Sequence, residues 1–525
     1  MNTQSTDVLV IGSGFGGAAV ALRLAEAGFR VLVIEKGPRI RVPGDFVQTQ
    51  DPQYLLRYIK SLRGDNVNFV YAEGLGGGSG FYEMVSLRAP SLAFDQRSTE
   101  GNRLWPQGID RETMDVYYER AEQMMHVAQI APGEIPKSGL VFALLMRAAG
   151  CSVDRVPYAV RGCVGHAYCV AGCTAGAKVT VHDTYIDPAV RAGATILTGT
   201  EALEVVPLDA EPRAGERNLE AIPLRYSVSC TCGGAPLEIR ARLVVLAGGT
   251  VGTARLLLRS RRWLTHLSPH VGKNISVNGT VKALGILPGD FPDGDMFTGR
   301  SHPGVISYQY LASRGITIST AKPLPVDAVS YANLVPEGET RSPATWGEAR
   351  VAMMQLYRRR ALPIYALGLT TPTASLSATR DGRLLPSFRL DGGFREYYRD
   401  TLDLLQSIYR RAGARVVHIR ILDGEGAEYP DIHVTTAHMT GSCRMADSPR
   451  HGATDATGEL FAYPGLYVAD GAAIPSSLAV NPYLTILANA ERIAEFMVRW
   501  YRHREAIVTR LPFSEKAGSF SSSPA

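Results

Sequence analysis

Three glycines near the start of the chain have the spacing of a phosphate-binding turn. Gly12, Gly14 and Gly17 form a GxGxxG pattern that follows the apolar run 7–11 and precedes a helical pattern. Such glycines allow a tight turn, let the backbone approach phosphates and let helix and strand pack closely. The free N–H groups at the start of the helix attract the anion. The spacing therefore predicts a binding site for a dinucleotide pyrophosphate.

The residue that ends the next apolar strand narrows the choice of nucleotide. Glu35 closes the run VLVIE, which follows the predicted helix. A carboxylate at this place accepts hydrogen bonds from the ribose hydroxyls and repels a 2′-phosphate. We therefore expect FAD or NAD rather than NADP. The alternative is a chance glycine-rich turn, which the register of strand, helix and acid disfavours.

The length and composition of the chain are those of a globular protein with more than one domain. At 525 residues the chain exceeds what one compact core usually supports, so we expect two closely packed domains. Lysine and arginine outnumber aspartate and glutamate by 55 to 50, and no basic run is interleaved with aromatic residues. This charge pattern does not favour nucleic acid as a partner.

Neither an export signal nor a membrane span is visible in the sequence. Only uncharged or acidic residues stand between the initial methionine and the first apolar strand. No apolar run approaches the roughly 20 residues that a membrane-spanning helix needs. We therefore expect a cytoplasmic protein. The seven cysteines are an odd number spread over a long chain, which favours reduced thiols over a disulfide framework.

Strand-like and helical patterns alternate along the rest of the chain. Residues 201–247 alternate like strands and end in the buried run LVVLAGG before a helix predicted at 253–259. We expect an amphipathic helix at 394–412, and a last strand at 465–469 that leads into a helix at 482–502. Strands that feed helices through glycine turns indicate an α/β fold.

Two segments near the C-terminus carry motifs that occur together in one known family. Residues 437–445 read AHMTGSCRM, and residues 465–485 contain the strand end GLYVADG and then NPYLT. With the GxGxxG turn, the loop GLGGGS and the run LVVLAGGTVGTARLLLRS, the chain resembles the glucose–methanol–choline oxidoreductase family of flavoenzymes. The motifs are nearest to those of its cholesterol oxidase and long-chain alcohol oxidase branches.

The resemblance implies an α/β fold in which a Rossmann-like FAD-binding domain accompanies a substrate-binding domain of mixed β-sheet and helices. Residues 1–270 would form the first part of the FAD-binding domain, with inserted loops that include the cysteine-rich segment 151–180. Residues 271–430 would form mainly the substrate-binding domain. Residues 431–510 would return to the FAD-binding domain, and the polar tail 511–525 is predicted to be disordered.

The resemblance also implies two catalytic residues, His438 and Asn481, that face the flavin ring. A neutral imidazole is a suitable base for the hydroxyl proton of an alcohol, and an amide can hold the same hydroxyl in place. For each residue the sequence leaves a structural alternative open. His438 is alternatively a buried histidine, and Asn481 alternatively caps a helix whose first residue is Pro482.

Further contacts to FAD are implied in three places. A loop without side-chain bulk can approach the cofactor closely at Gly77 and Gly78. The aspartate at the end of the last strand corresponds to the family's contact to the ribityl and pyrophosphate groups, with a simple strand-end turn as the alternative. The positive end of a last helix that starts at Pro482 would stabilise negative charge on the reduced cofactor. Together with the first turn, the predicted cofactor-binding residues are Gly12, Gly14, Gly17, Glu35, Gly77, Gly78, Ser79, Tyr82, Asp470, Gly471 and Pro482.

Three cysteines in one segment raise the question of an iron–sulfur cluster. Cys163, Cys169 and Cys173 have a spacing that resembles that of sugar dehydrogenases of the family, in which three thiolates hold a [3Fe-4S] cluster. A structural cysteine-rich loop is the interpretation that we favour. Zinc would need a fourth ligand such as His166. We predict no metal site.

The predicted function is the FAD-dependent oxidation of an alcohol to a carbonyl compound, with hydride transfer to flavin N5. The expected partner is a small-molecule alcohol, while the electron acceptor stays open between oxygen, a quinone and a protein. The alternative function is an electron-relay dehydrogenase subunit that carries a [3Fe-4S] cluster.

Overall fold

The structure is a computed structural model in which seven stretches of the chain are described. They are residues 2–49, 51–208, 218–322, 335–336, 347–379, 382–418 and 432–501. The tail 511–525, which the sequence predicts to be disordered, lies outside the described residues.

The first sheet has a parallel centre. The first strand, Asn2–Ile11, lies between Val31–Glu35 and Ala235–Leu246, and both pairings are parallel. Thr195–Thr198 extends the sheet beside Val31–Glu35, and Leu466–Val468 pairs with the end of Ala235–Leu246, again in parallel. Strands buried on both faces explain why these segments read as continuous apolar runs. The α/β fold that the sequence predicts is confirmed.

Two further strands extend the first sheet by antiparallel pairing. Tyr226–Cys232 pairs with Ala235–Leu246 on one side and with Thr200–Pro207 on the other. The helix Phe15–Glu26, which follows the glycine turn, packs against the last helix, Tyr483–Trp500. The two ends of the chain therefore meet in one body.

The second large sheet is built differently, because every strand pairing described in it is antiparallel. Its helices are Gly392–Arg411, which lies across the strand Val281–Ile286, and Lys137–Ala148, which packs on Val305–Ser307. The strands of this sheet, in spatial order, are Val335–Pro336, Arg415–His418, Val281–Ile286, Ala361–Gly368, Ile316–Ser319, Val305–Ser307 and Asp154–Arg155.

Two small sheets hold the segment around residue 438. One has the strand order Leu384–Phe388, Ala374–Ala378, Lys273–Ser276 and Thr440–Ser442. The other has the order Val434–Thr436, Val67–Ala72 and Ile59–Gly64. Because one strand before residue 438 and one after it belong to different sheets, the backbone there is anchored on both sides.

The remaining elements are further helices, single helical turns and one small ribbon. The helices are Pro52–Tyr58, Ser91–Phe94, Arg111–Met124, Asp187–Arg191, Gly249–Arg259, Leu311–Arg314 and Gly347–Arg360. Single helical turns occur at Gly77–Gly80, Pro132–Glu134, Cys169–Ala171, His182–Ile186, Leu219–Ala221 and Ser260–Arg262, and a small ribbon pairs Ala128–Gln129 with Pro157–Tyr158.

The predicted helices exist but differ from the expectation at their ends. The helix expected at 253–259 begins four residues earlier, as Gly249–Arg259, because the strand ends at Leu246 and the glycine turn leads directly into the helix. The helix expected at 482–502 is described as Tyr483–Trp500, with Pro482 at the position before the first turn.

Candidate active site

The glycines of the first turn are required for different reasons. A Cβ atom on Gly12 would lie 2.3 Å from the carbonyl oxygen of Ala247, and one on Gly17 would lie 2.0 Å from the carbonyl oxygen of Gly12. Gly12 also has a φ of +104°, which favours glycine. On Gly14, by contrast, a Cβ atom would meet no protein atom within 4 Å. Gly12 and Gly17 therefore serve packing, while Gly14 borders open space.

That open space has the character of an anion site. The helix Phe15–Glu26 begins at Gly14 without a side-chain cap, so its first N–H groups have no such acceptor. The second glycine loop lies directly across it, because a Cβ atom on Gly77 would stand 2.9 Å from the Cα atom of Gly14. Gly78 is also open on its Cβ side. Two backbones without side chains thus line one cradle, which fits the pyrophosphate of FAD.

Glu35 holds this turn in shape. Its carboxylate accepts hydrogen bonds from the Ser13 backbone N–H at 3.1 Å, the Ser13 hydroxyl at 2.7 Å and the Gly37 N–H at 2.8 Å. Burial raises the pKa of Glu35, and these donors oppose that effect. The predicted ribose contact of Glu35 stays a prediction, because each carboxylate oxygen can accept more than one hydrogen bond.

The Asp470 carboxylate accepts hydrogen bonds from three protein groups. One carboxylate oxygen accepts from the Gly249 N–H at 2.7 Å and from the Thr253 hydroxyl at 2.6 Å, and the other accepts from the Ala472 N–H at 2.7 Å. Burial raises its pKa to about 6. Asp470 therefore joins the strand end to the helix Gly249–Arg259. Gly471 follows it, where a Cβ atom would stand 3.1 Å from the Thr250 hydroxyl. Their contacts to FAD stay predictions.

Ser79 and Tyr82 belong to the wall of the cradle. The Ser79 hydroxyl is buried and donates to the Gly76 carbonyl at 2.7 Å. The Tyr82 hydroxyl donates to the Val179 carbonyl at 2.6 Å. The Tyr82 ring lies edge-on to Tyr483, with centroids 4.9 Å apart. The second glycine loop therefore packs against the start of the last helix, next to Pro482.

His438 and Asn481 come together although 42 residues separate them in the chain. The Asn481 amide nitrogen lies 3.3 Å from Nε2 of His438. With the amide donating, Nε2 is the unprotonated nitrogen of a neutral imidazole. The His438 backbone N–H donates to the Thr436 hydroxyl at 3.0 Å. The two predicted catalytic residues therefore form one pair.

The helix-capping alternative for Asn481 is wrong. The helix is Tyr483–Trp500, its capping position is Pro482, and no side chain caps it. Asn278 instead fixes the segment before Asn481, since its amide oxygen accepts from two backbone N–H groups, at residues 478 and 479, and its amide nitrogen donates to the residue 480 carbonyl. The Asn481 side chain is thus free to meet the imidazole.

The surroundings keep the imidazole neutral. Burial, with a smaller contribution from the positive charge of Lys282, lowers the pKa of His438 to about 4. His438 nevertheless keeps some accessible surface, so it is not part of the solid core. A neutral imidazole at physiological pH can accept a proton, which a histidinium cannot.

Sequence reasoning missed three residues that border the same space. Glu83, Lys282 and Tyr365 keep accessible surface, while the shifted pKa values of all three show that protein surrounds them. Two signals were present in the sequence. Glu83 follows Tyr82 directly, and Lys282 is the one charged residue in the apolar strand VKALGI.

The family of the chain follows from its match to two models of one family. Residues 6–278 match the N-terminal model of GMC oxidoreductases, and residues 380–490 match the C-terminal model. The chain belongs to the GMC oxidoreductase family. The resemblance seen in the sequence is confirmed, and with it FAD as the cofactor and an oxidoreductase that acts on CH–OH donors.

Relatives of this GMC oxidoreductase include alcohol and sterol oxidases. Long-chain-alcohol oxidase FAO4B of Arabidopsis thaliana is 28% identical over 94% of this chain and 67% of its own length. A cholesterol oxidase of Mycobacterium tuberculosis is 28% identical over 93% of this chain and 90% of its own length. The crystal structure of pyridoxine 4-oxidase from Mesorbium loti shares the fold, with a TM-score of 0.61, 18% identity, and coverage of 94% of this chain and 99% of that one.

The cysteine-rich loop of this GMC oxidoreductase holds free thiols. Cys163 is exposed, and Cys169 and Cys173 are partly buried. Within the seven described stretches, no three histidine, cysteine, aspartate or glutamate side chains are grouped closely enough to hold a metal ion. The [3Fe-4S] alternative stays a prediction. None of the helices in those stretches has the length and apolar character needed to cross a bilayer.

Proposed function

We propose that this GMC oxidoreductase oxidises an alcohol to a carbonyl compound, with His438 as the base and Asn481 as the group that positions the hydroxyl. The observation that carries the proposal is the pairing of Asn481 with Nε2 of His438 at 3.3 Å. A substrate hydroxyl that replaces this hydrogen bond would meet one proton acceptor, Nε2 of His438, and one hydrogen-bond donor, the Asn481 amide.

The reaction divides the two hydrogens of the alcohol between protein and cofactor. His438 accepts the hydroxyl proton at Nε2, while Asn481 holds the hydroxyl oxygen through its amide. FAD, when bound, would supply the two-electron acceptor for the hydride of the carbinol carbon. The C–H bond breaks as the C=O bond forms, and the proton stays on the imidazole until it is released.

The residues that would hold FAD are those of the backbone cradle. Gly14 and Gly78 leave space for the pyrophosphate, and the uncapped starts of two helices, Phe15–Glu26 and Tyr483–Trp500, present free N–H groups. A helix start carries partial positive charge, so both ends favour negative charge on the cofactor.

The substitution His438→Ala tests the proposal. We expect anaerobic reduction of the bound flavin by an alcohol to slow by about 100-fold or more, while FAD stays bound. Rapid-mixing absorbance measures the rate, and the spectrum of the purified protein measures FAD content. His266→Ala, which removes an exposed histidine, is the matched control. Unchanged reduction kinetics in His438→Ala would refute the role of the base.

A further inference from the structure

The second large sheet has two chemically different faces. One face carries Val281 and Ala283 on one strand and Ile364 and Ala366 on the next, all buried in a single apolar core. The ring of Tyr409, from the helix Gly392–Arg411, belongs to the same core. Side chains alternate between the faces of a strand, so residues at the intervening positions point the other way.

Polar side chains occupy the opposite face. Lys282 is paired in register with Tyr365, and Tyr365 with Ser319 on the third strand. Thr317 precedes Ser319 by two positions and therefore shares this face. Directly paired residues on adjacent strands lie about 5 Å apart at Cβ, so the lysine, tyrosine and serine form a continuous row.

This polar row faces the proposed catalytic pair. The Thr317 hydroxyl donates to the Ala479 carbonyl at 2.5 Å, two residues before Asn481. Lys282 lies two strands away from Thr317 in the same sheet. Its positive charge is among the causes that lower the pKa of His438. Both ends of the row are thus near the residues that hold and deprotonate the alcohol.

Lys282 is available for a ligand. It keeps accessible surface although both of its chain neighbours, Val281 and Ala283, are buried. Across the described part of the chain, no hydrogen bond or ion pair within 4 Å engages its ammonium group. Burial lowers its pKa, with the nearby Glu83 acting in the opposite direction. Lys282 is therefore exposed and has accessible surface for a ligand, while protein atoms surround much of its side chain.

Three ionisable side chains lie near one another here, Glu83, Lys178 and Lys282. Glu83 is the acid that faces Lys282, and burial raises its pKa while Lys178 and Lys282 oppose the rise. Lys178 is already bound, since it donates to the carbonyls of Gly80 and Cys169. Of these two lysines, Lys282 is the one whose ammonium group has no hydrogen-bond acceptor among the described residues, so an anionic ligand can bind it.

We infer that Lys282 binds an anionic oxygen group of the substrate, so that the enzyme acts on a polar alcohol that carries a carboxylate or phosphate group. The inference rests on the proposed function, because it places the anionic group beside the carbinol that His438 deprotonates. An ammonium group in an apolar sterol or alkyl pocket would be left without a partner when such a substrate bound, which is unfavourable.

A matched pair of alcohols tests the inference in the holoenzyme. We compare 4-(hydroxymethyl)benzoate with 4-methylbenzyl alcohol, which differ in the carboxylate, by the second-order rate constant of anaerobic flavin reduction at low substrate concentration. We expect a preference of about 10-fold or more for the carboxylate, its loss in Lys282→Met and its partial retention in Lys282→Arg. Lys273→Met, which removes an exposed lysine from another sheet, should keep the preference.

The same pair of alcohols can overturn the inference. Equal or better oxidation of 4-methylbenzyl alcohol by the unmodified enzyme would show that the site does not select an anion. An equal loss of rate for both alcohols in Lys282→Met would assign the lysine to the cofactor instead of the substrate. Either result leaves the role of His438 intact, so it contradicts the inference alone.

A binding measurement does not depend on turnover. Benzoate and phenyl phosphate are titrated into the oxidised holoenzyme, and the flavin absorbance reports their dissociation constants. We expect Lys282→Met to weaken at least one of these anions by about 10-fold or more and to leave benzyl alcohol unaffected. The two anions distinguish a carboxylate from a phosphate subsite. Glu83→Gln should tighten anion binding, because it removes the opposing charge.

The two measurements separate the inference from the proposed function. If anions bind through Lys282 but no alcohol reduces the flavin, the subsite stands and the proposed function fails. If alcohols reduce the flavin through His438 and anion binding is equal in the unmodified enzyme and Lys282→Met, the proposed function stands and the subsite fails.

Discussion

The nucleotide cradle and the catalytic pair are built from different parts of the polypeptide. The cradle uses backbone, and the essential positions of its first turn, Gly12, Gly14 and Gly17, lie within six consecutive residues. The pair uses side chains, His438 and Asn481, from segments that meet only because sheets and loops fold together. A backbone site depends on local conformation, whereas a side-chain site depends on long-range register.

The largest effect that we expect comes from Gly17→Ala in the cradle. The added Cβ atom would stand 2.0 Å from the Gly12 carbonyl and 3.0 Å from the Cβ atom of Ala247, and backbone cannot yield as a side-chain tip can. We expect a loss of about 3 kcal/mol or more in the free energy of unfolding, or failure to fold. Denaturant unfolding followed by circular dichroism measures it.

Gly14→Ala is the control for Gly17→Ala. No protein atom lies within 4 Å of the position of its Cβ atom, so the fold of the apoprotein should persist. FAD affinity should fall by about 10-fold or more, because the methyl group enters the space where backbone meets phosphate. Equal loss of folding in both variants would contradict the division between packing and binding glycines.

The second effect concerns the ion pair between the first helix, which follows the glycine turn, and the last helix, which follows Asn481. Glu491, on the last helix, is fully buried and accepts two hydrogen bonds from Arg23 on the first helix, at 2.7 Å and 2.9 Å. Glu491→Gln should lower the free energy of unfolding by about 3 kcal/mol, because it removes the buried counter-ion of Arg23 and leaves only the more exposed Glu26. Denaturant unfolding of the holoenzyme measures the change.

Glu495→Gln provides the comparison for the buried pair. Glu495 also pairs with an arginine, Arg120, but its side chain is 21% exposed. We expect a loss below about 1 kcal/mol, since water screens an exposed pair. A similar loss in the two variants would show that burial does not set the strength of these ion pairs.

The third effect tests the positioning role of Asn481. Asn481→Ala should slow flavin reduction by about 10- to 100-fold, because the hydroxyl loses its donor and its orientation. The loss should appear in the limiting rate constant of flavin reduction at saturating alcohol, measured by rapid mixing. Asn481→Asp keeps the shape but not the donor, so its rate should be similarly low; a normal rate in that variant would refute donation by the amide.

The smallest effect is a change in pH dependence. His438 acts as a base only when neutral, and its pKa of about 4 means that the rate should be level from about pH 6 to 8 and fall as the pH drops through 4. Lys282→Met removes a positive neighbour, so the pKa of His438 rises and the acid limb moves to higher pH. Stopped-flow measurement of flavin reduction after a pH jump gives the pH at which the rate falls. A shift of this fall to lower pH in Lys282→Met would contradict the electrostatic effect of Lys282 on His438.

Much of the fold was predictable because its signals are local. The glycine turn, the acid Glu35 and the apolar strands identify the nucleotide-binding unit, since each depends on residues close in sequence. Helix ends were less predictable. The helix after the strand Ala235–Leu246 begins at Gly249, where the Asp470 carboxylate accepts from its N–H, and that partner is distant in sequence.

The sequence by itself determined the nucleotide-binding turn, the family and the identity of His438 and Asn481 as candidates. Only the tertiary structure decided that Asn481 meets the imidazole instead of capping a helix, and that Lys282 and Glu83 border the same space. The physical reason is that a turn is defined by the conformations of a few adjacent residues. The environment of a side chain, in contrast, is defined by strand register and by packing between segments far apart in the chain.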